Sequence, residues 1–331
     1  MKSYLTKDIR NVGIVGHGGT GKTQLVSSLL FTAGMTPRWG KVAEGSTTTD
    51  WDEEEIARKI SIQTGLAYAE WPATPTGPSG SSDKVKINFI DLPGYSTFIT
   101  ETKASLIAAD AALIAVDAHV GAQVTTEKVW DYCTEYDIPR AFVLTWMDRE
   151  LSSFERSMES LQEVFGRNVV ALQLPIGSEK GFRGVIDLVA MKAHIYKPDG
   201  DGKPSIEEIP AALADEAKEA HEKLVEMIAE GDDEMMEEFF REGTIPIHDL
   251  IPAVRKAIVG EKIFPVVMTP ACSRFLPMLS PTPTNTRKSA TKTRAERAIA
   301  SSANTTTASR SPFLSSRRSP TPLRAASTIS K

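Results

Sequence analysis

Gly16-His-Gly-Gly-Thr-Gly-Lys-Thr23 carries the spacing G-x-x-x-x-G-K-[ST]. Residues of these types at this spacing can cradle phosphates. Gly18, Gly19 and Gly21 let the main chain come close to an anion with no Cβ in the way. Successive N–H groups, and the N-terminus of a following helix, then converge on it. Lys22 supplies a charge for the β- and γ-phosphates of a nucleotide, and the Thr23 hydroxyl supplies a ligand for Mg²⁺. Gly16, His17, Thr20 and Gln24 complete the segment and count with it as candidate nucleotide contacts.

Two later groups suit the same ligand. Asp91-Leu-Pro-Gly94 ends an apolar run. Asp and Gly are common turn residues, so Asp-x-x-Gly alone says little. Downstream of a phosphate loop it says more: Asp91 can hold Mg²⁺ through water, and the Gly94 N–H can sense the γ-phosphate. Thr145-Trp-Met-Asp148 ends another apolar run. GTP-binding proteins carry Asn-Lys-x-Asp at this place. The carboxylate accepts two hydrogen bonds from guanine, at N1–H and the exocyclic amine. Adenine presents an acceptor at N1 and would leave that carboxylate unpaired, which discriminates steeply. Thr145, Trp146 and Asp148 are therefore the candidate base contacts.

These groups need a scaffold that brings loop ends together, and the patterning supplies one. Val12–Val15 reads as a buried strand and Gln24–Phe31 as a helix. Thr32–Asp52 lacks periodicity and is punctuated by Gly34, Pro37, Gly40 and Gly45; a loop of this length in a compact domain is usually functional, and a nucleotide-sensing switch belongs here. Glu53–Lys59 reads as a short helix, and Ile60–Trp71 and Lys84–Ile90 as a hairpin whose tip, Pro72–Asp83, has linker composition. A helix over Phe98–Ala109, a strand over Ala111–Val116, a helix over Thr125–Tyr136 and a strand over Ala141–Thr145 follow. Alternation of this kind builds a doubly wound α/β sheet with its ligand at the strand C-terminal ends. Beyond a helix over Leu151–Val164, Val169–Ile176 and Gly184–Tyr196 read as strands of a second unit. Pro210–Glu230 and Asp232–Glu242 read as acidic amphipathic helices, Ile247–Ile258 as a further helix and Phe264–Val267 as a last core strand. The expected fold is thus an α/β P-loop NTPase, with a mostly parallel sheet, helices on both faces and an inserted α+β subdomain. The expected division is 1–165 with 255–275 for nucleotide binding, 166–254 for the insertion and 276–331 for a tail.

Composition narrows the partners. Of the 38 Lys and Arg, 11 follow Pro270, against 1 of the 43 Asp and Glu, so the first 270 residues carry −15 and the remainder +10. A body this acidic does not bind nucleic acid through surface charge alone. Cys133 and Cys272 are the only cysteines, too few for a disulfide framework or a zinc ribbon. His194, His221 and His248 show no metal-ligand spacing. The most apolar stretch, Ala104–Val116, is interrupted by Asp110 and too short to span a bilayer. No membrane role and a cytoplasmic location are expected.

The segment Ile9–Thr23, together with Thr49-Asp-Trp51, Ile90–Gly94, Met147-Asp-Arg149, Leu172–Gly177 and Gly184–Leu188, resembles elongation factor G in the same order. The likeness runs from about residue 4 to about 270. It implies a translational GTPase of protein biosynthesis, monomeric, with GTP/GDP and Mg²⁺ as ligands and the ribosome as partner. The departures resemble a divergent elongation factor G-like branch. Arg58-Lys-Ile-Ser61 stands where that family has Arg-Gly-Ile-Thr, so Ser61 becomes the third candidate metal ligand beside Thr23 and Asp91, and Lys59 replaces a glycine. Tyr95 occupies the place of the family's water-positioning histidine. A phenol near pKa 10 is a poor substitute for an imidazole near 6.5, so no catalytic residue is assigned and hydrolysis is expected to be slow or impaired. Thr145 replaces the family Asn, an amide that ties the base to the phosphate loop. Trp146 replaces the Lys whose stem covers the base; an indole stacked on guanine and an indole exposed or packed in the core both remain open.

After about residue 275 Ser, Thr, Pro, Ala and Arg dominate. Disorder, a basic RNA-binding tail and a frameshift near Pro270–Arg274 are the three readings, the last favoured because a shifted reading of Pro320–Lys331 under chosen codons resembles the family's second domain. The family's Ser-Ala base contact would fall at the altered Pro270-Ala271. A non-hydrolysing, guanine-nucleotide-dependent interaction module and a non-functional truncation product are the alternatives to a GTPase.

Overall fold

The computed structural model describes residues 4–72, 84–197, 200, 202–230, 233–242 and 245–269, all within one compact unit, Met1–Thr284. The expected linker tip and tail, with Cys272, lie outside the described residues.

The first half alternates as its patterning requires. Strand β1 (Ile9–Gly16) leads to α1 (Lys22–Thr32), α2 (Glu53–Arg58), β2 (Gly65–Pro72), β3 (Lys84–Asp91), α3 (Ile99–Leu106), β4 (Ala111–Asp117), α4 (Val124–Glu135), β5 (Arg140–Thr145), α5 (Phe154–Phe165) and β6 (Val169–Ala171). Then come β7 (Gln173–Ile176), β8 (Gly184–Asp187), β9 (Lys192–Ile195), β10 (Ser205–Glu207), α6 (Ala214–Ala229), α7 (Asp233–Glu242), α8 (Ile247–Val259) and β11 (Phe264–Met268). Seven strands form one sheet in the order β2-β3-β1-β4-β5-β11-β6, and four form another in the order β10-β9-β8-β7. The hairpin β2–β3 is antiparallel, and the other pairs of the large sheet are parallel. The small sheet is antiparallel.

Every residue of β4 is buried, as expected for a central strand covered on both faces. The alternation of β1 divides the core. Val12 and Ile14 pack with Leu25, Val26 and Leu29 of α1 and with Val225 of α6 and Val254 of α8. Val15 packs on the opposite face with Leu106 of α3, Val129 and Cys133 of α4, and Leu161 of α5. Burial pushes the Cys133 thiol up to about 12, which makes it an inert core residue. Parallel pairing sets Gly16, Asp91 and Thr145 at one edge of the sheet, with Ile14 opposite Asp91 and Asp117 opposite Thr145. The three motifs therefore meet because β3, β1, β4 and β5 are neighbours.

Four of the departures from the sequence reading have a local reason. The strand expected from Ile60 starts at Gly65. The buried Glu55 carboxylate accepts the N–H groups of Ile62 and Gln63, both at 2.8 Å, and withholds them from a ladder. The helix expected from Leu151 starts at Phe154, because Leu151 is left-handed (φ 63°) and Ser153 is the N-cap. The single strand expected over Val169–Ile176 is two strands in two sheets. They part at Leu172, whose N–H donates to Val266 O of β11 and whose carbonyl accepts the N–H of Leu188, both at 3.0 Å. The run Gly184–Tyr196 likewise breaks where the Asp187 carboxylate accepts the N–H groups of Val189 and Ala190. The exposed strand β10 has no counterpart in the sequence reading.

Lys59 closes α2 at φ 55°, the left-handed conformation that costs a residue with a Cβ roughly 1–2 kcal/mol. Lys59→Gly is expected to raise stability by about 0.5–1 kcal/mol, the remainder being offset by the greater freedom of glycine in the unfolded chain. Urea unfolding checks this; a lower midpoint for the variant would contradict it.

Candidate functional site

The phosphate loop joins β1 to α1. Gly21 precedes the helix in the left-handed region (φ 80°), which turns the loop into the helix axis. The Lys22 side chain is buried and its Nζ donates to the His17 carbonyl at 2.6 Å. The Thr20 hydroxyl donates to the same oxygen at 2.9 Å. Burial pushes the Lys22 ammonium down to about 8, and the Asp91 carboxylate pulls the other way. Burial and the Lys22 charge also lower the pKa of His17, whose Nδ1 lies 3.1 Å from Thr125 Oγ1.

A cavity of about 320 Å³ opens over this loop, lined by Gly18, Gly19, Gly21, Lys22, Thr23, Gln24, Asp50, Ser61, Gly94, Tyr95 and Trp146 among others. Gly16, His17, Thr20 and Asp91 do not line it. Gly94 approaches so closely that a Cβ there would lie 2.1 Å from Lys22 Nζ and 2.7 Å from His17 O. Gln24 lines the cavity with its amide engaged elsewhere: Nε2 donates to Gly40 O at 3.0 Å and Oε1 accepts the Val42 N–H at 3.2 Å. With Ser27, which donates to Gly40 O at 2.7 Å, it anchors the long loop to α1.

Oxygen donors gather beside Lys22. Thr23 Oγ1 and Ser61 Oγ are 2.9 Å apart. Ser61 donates to Asp50 Oδ1 at 3.1 Å, and Thr47 donates to Asp50 Oδ2 at 3.2 Å. Thr49 donates to Asp91 Oδ2 at 2.8 Å. Asp91 Oδ1 is buried with no hydrogen-bond partner among the described residues. Burial pushes Asp91 up to about 6; the bonds from Thr49 and Thr23 and the Lys22 charge oppose this, and Asp50 adds to it. Burial raises Asp50 as well. Two buried carboxylates, one of them with an orphaned oxygen, and the hydroxyls of Thr23 and Ser61 make an all-oxygen donor set, which fits a hard divalent cation such as Mg²⁺. Thr47, Thr49 and Asp50 received no role from the sequence. The signal available was a polar run, Ser46–Asp50, and only the docking of the loop turns it into a site.

At the end of β5 the Thr145 hydroxyl is buried and lies 2.8 Å from Thr20 O and 3.1 Å from Val116 O, in position to donate its one hydrogen to either. The Thr145 hydroxyl thus links the end of β5 to the phosphate loop. Trp146 is left-handed (φ 60°), uncommon for a bulky side chain. The Arg149 guanidinium lies 3.7 Å from its ring centroid and pairs with Asp117 at 3.1 Å. The other neighbour is Gly21, where a Cβ would sit 3.2 Å from the indole. The indole is thus half-buried between the loop and Arg149, and its Nε1 has no hydrogen-bond partner among the described residues. Asp148 is exposed on a second cavity, of about 540 Å³, that shares Gly21, Gln24 and Trp146 with the first and continues to Phe182 and Tyr196.

Residues 7–302 match the family model described as the elongation factor Tu GTP binding domain, a span that enters the Ser- and Arg-rich tail. A crystal structure of a protein from Thermus thermophilus superposes with a TM-score of 0.72 at 29% identity. It covers 85% of this chain, and this chain spans 41% of its length. A phosphate loop between β1 and α1, Asp91 and Gly94 at the end of β3, Asp148 after β5 and a family match over most of the sequence agree, and the chain belongs to the elongation factor Tu GTP-binding domain family.

Proposed function

We propose that the chain binds GTP and GDP with Mg²⁺ and hydrolyses GTP slowly, as the nucleotide-binding part of a ribosome-directed, elongation factor G-like translation factor. The observation that carries this reading is the convergence of Lys22, Thr23, Ser61 and Gly94 on one cavity, which shares Trp146 with the second cavity, where Asp148 lies. Main-chain N–H groups of the loop hold the phosphates, and Lys22 faces the β–γ bridge. Bound Mg²⁺ would be held by Thr23, Ser61 and Asp91 and would neutralise charge on the terminal phosphates. Asp148 pairs with the guanine edge, and Trp146 stands between base and phosphates. Tyr95, the residue after Gly94, carries a phenol, which is a weak base towards water. The same reading keeps guanine nucleotide and the ribosome as partners of a cytoplasmic monomer, and keeps the small sheet with α6 and α7 as the insertion. Among the described residues no helix is long and apolar enough to cross a membrane.

Competition against a fluorescent guanine nucleotide in Mg²⁺ buffer tests the reading. GTP and GDP are expected to displace it about 10²-fold better than ATP, and equal displacement by ATP refutes it. Asp148→Asn should weaken GDP by roughly 10-fold or more, the cost of an unpaired guanine donor, and shift preference towards xanthine nucleotides, whose C2 carbonyl accepts from the amide.

A further inference from the structure

The glycine at position 18 is not required by its own backbone. Gly19 and Gly21 sit in the left-handed region at φ 82° and 80°, and Gly18 does not. A side chain there meets one obstacle. An ideal Cβ on Gly18 would lie 2.7, 2.8 and 2.9 Å from Cε1, Cζ and Cδ1 of Tyr95, and these are the three nearest atoms. Real Cβ atoms essentially never show contacts under 3.0 Å, so the ring rests directly on the main chain of the phosphate loop. Tyr95 itself is 40% exposed and follows Gly94, which abuts Lys22 Nζ. It lines the same cavity as Thr23, Ser61 and Gly94, the end that would receive a terminal phosphate.

We infer that Gly18 and Tyr95 form one steric unit, in which the missing side chain at 18 seats the Tyr95 ring as a wall at the γ-phosphate end and keeps the attacking water out. This rests on the nucleotide reading above and adds a cause for slow turnover. In the reaction, a water oxygen bonds to the γ-phosphorus, the β–γ bridging oxygen leaves with GDP, and the water protons pass to phosphate and solvent. A ring in the approach path holds back the first of these events whatever the proton acceptor. Gly18 acts here as a positioning residue, through Tyr95.

Single-turnover GTP hydrolysis by the full chain with Mg²⁺ tests the unit. Tyr95→Ala is expected to raise the rate at least about tenfold, because an exposed side chain is removed and the path opens. Gly18→Val is expected to displace the ring and raise the rate similarly. In the Tyr95→Ala background, the same valine is expected to give no further rise in rate, since no ring is left to displace and the added side chain only crowds the phosphate loop. Tyr95 should also become more reactive to nitration in Gly18→Val, a change that a purely structural glycine would not produce. An unchanged or slower Tyr95→Ala enzyme overturns the inference, and so does a valine whose effect is the same in both backgrounds. Should Gly18→Val fail to fold, Tyr95→Ala alone decides it. A chain that binds GTP yet gives these negative results sinks this inference alone, whereas a chain that binds no guanine nucleotide sinks the functional reading with it.

Discussion

Gly94→Ala should cost the chain roughly 10- to 100-fold in GTP affinity, the equivalent of about 1.5–3 kcal/mol for a hydrogen bond to a charged group. The reason is steric and local. The new methyl would stand 2.1 Å from Lys22 Nζ, 2.7 Å from His17 O and 2.8 Å from Gly16 O. Two of these are backbone atoms of the phosphate loop and cannot retreat without opening it. The third is the ammonium, which is buried and held by the His17 carbonyl at 2.6 Å. The ammonium must leave its place, and with it goes the charge proposed to face the bridging oxygens. GDP should suffer less than GTP, because Gly94 borders the terminal phosphate. Titration calorimetry with both nucleotides reads the difference; a GTP affinity within twofold of wild type would show that Lys22 is not where the phosphates bind.

Asp91→Asn should do two opposite things, stabilise the ligand-free fold and abolish the benefit of Mg²⁺. Burial pushes the Asp91 carboxyl up to about 6 in the fold, from an ordinary value of 3.8. The sign follows from linkage. Below about pH 4 both states are protonated and the group contributes nothing. Between about 4 and 6 the unfolded chain ionises first, so stability falls as pH rises. Above about 6 the penalty is constant, of order 3 kcal/mol at 1.36 kcal/mol per pKa unit. Asparagine keeps an acceptor for the Thr49 hydroxyl and carries no charge to bury. Without Mg²⁺ or nucleotide, the variant should therefore melt several degrees above wild type at pH 7, with the gap closing towards pH 4.5. With Mg²⁺ and GDP the order should reverse, since the oxygen set around Thr23 and Ser61 has lost its charge. A variant that melts below wild type at pH 7 without ligands would mean that Asp91 is stabilised by its surroundings rather than held in reserve for a cation.

What could be read from the sequence was whatever is local. Gly16–Thr23, Asp91–Gly94 and Asp148 each declare their chemistry within a few residues, and strand–helix alternation is enough to bring them to one sheet edge. What could not be read depends on where distant segments land. Asp50 and Thr47 belong to a loop without periodicity, and their meaning comes from Ser61 and from the anchoring of that loop by Gln24 and Ser27. Glu55 looks like one more charge on a helix, yet its carboxylate ends the following strand before it begins. The hydroxyl of Thr145 reaches Thr20 of the phosphate loop from the neighbouring part of the sheet, a contact that no local pattern announces. The apolar run Val169–Ile176 fits either of two sheets, and no pattern of period two marks the residue at which it changes allegiance.

That residue, Leu172, has a mechanical consequence. Its N–H is committed to the large sheet and its carbonyl to the segment that follows β8. One residue thus rivets the two sheets together close to β11. Phe182 and Tyr196, at the far side of the larger cavity, flank β8 and β9, the strand pair that Leu172 joins to the large sheet. Under the proposed reading, a base beside Asp148 meets a wall backed by two joined sheets, and selection among bases falls to matching donors and acceptors.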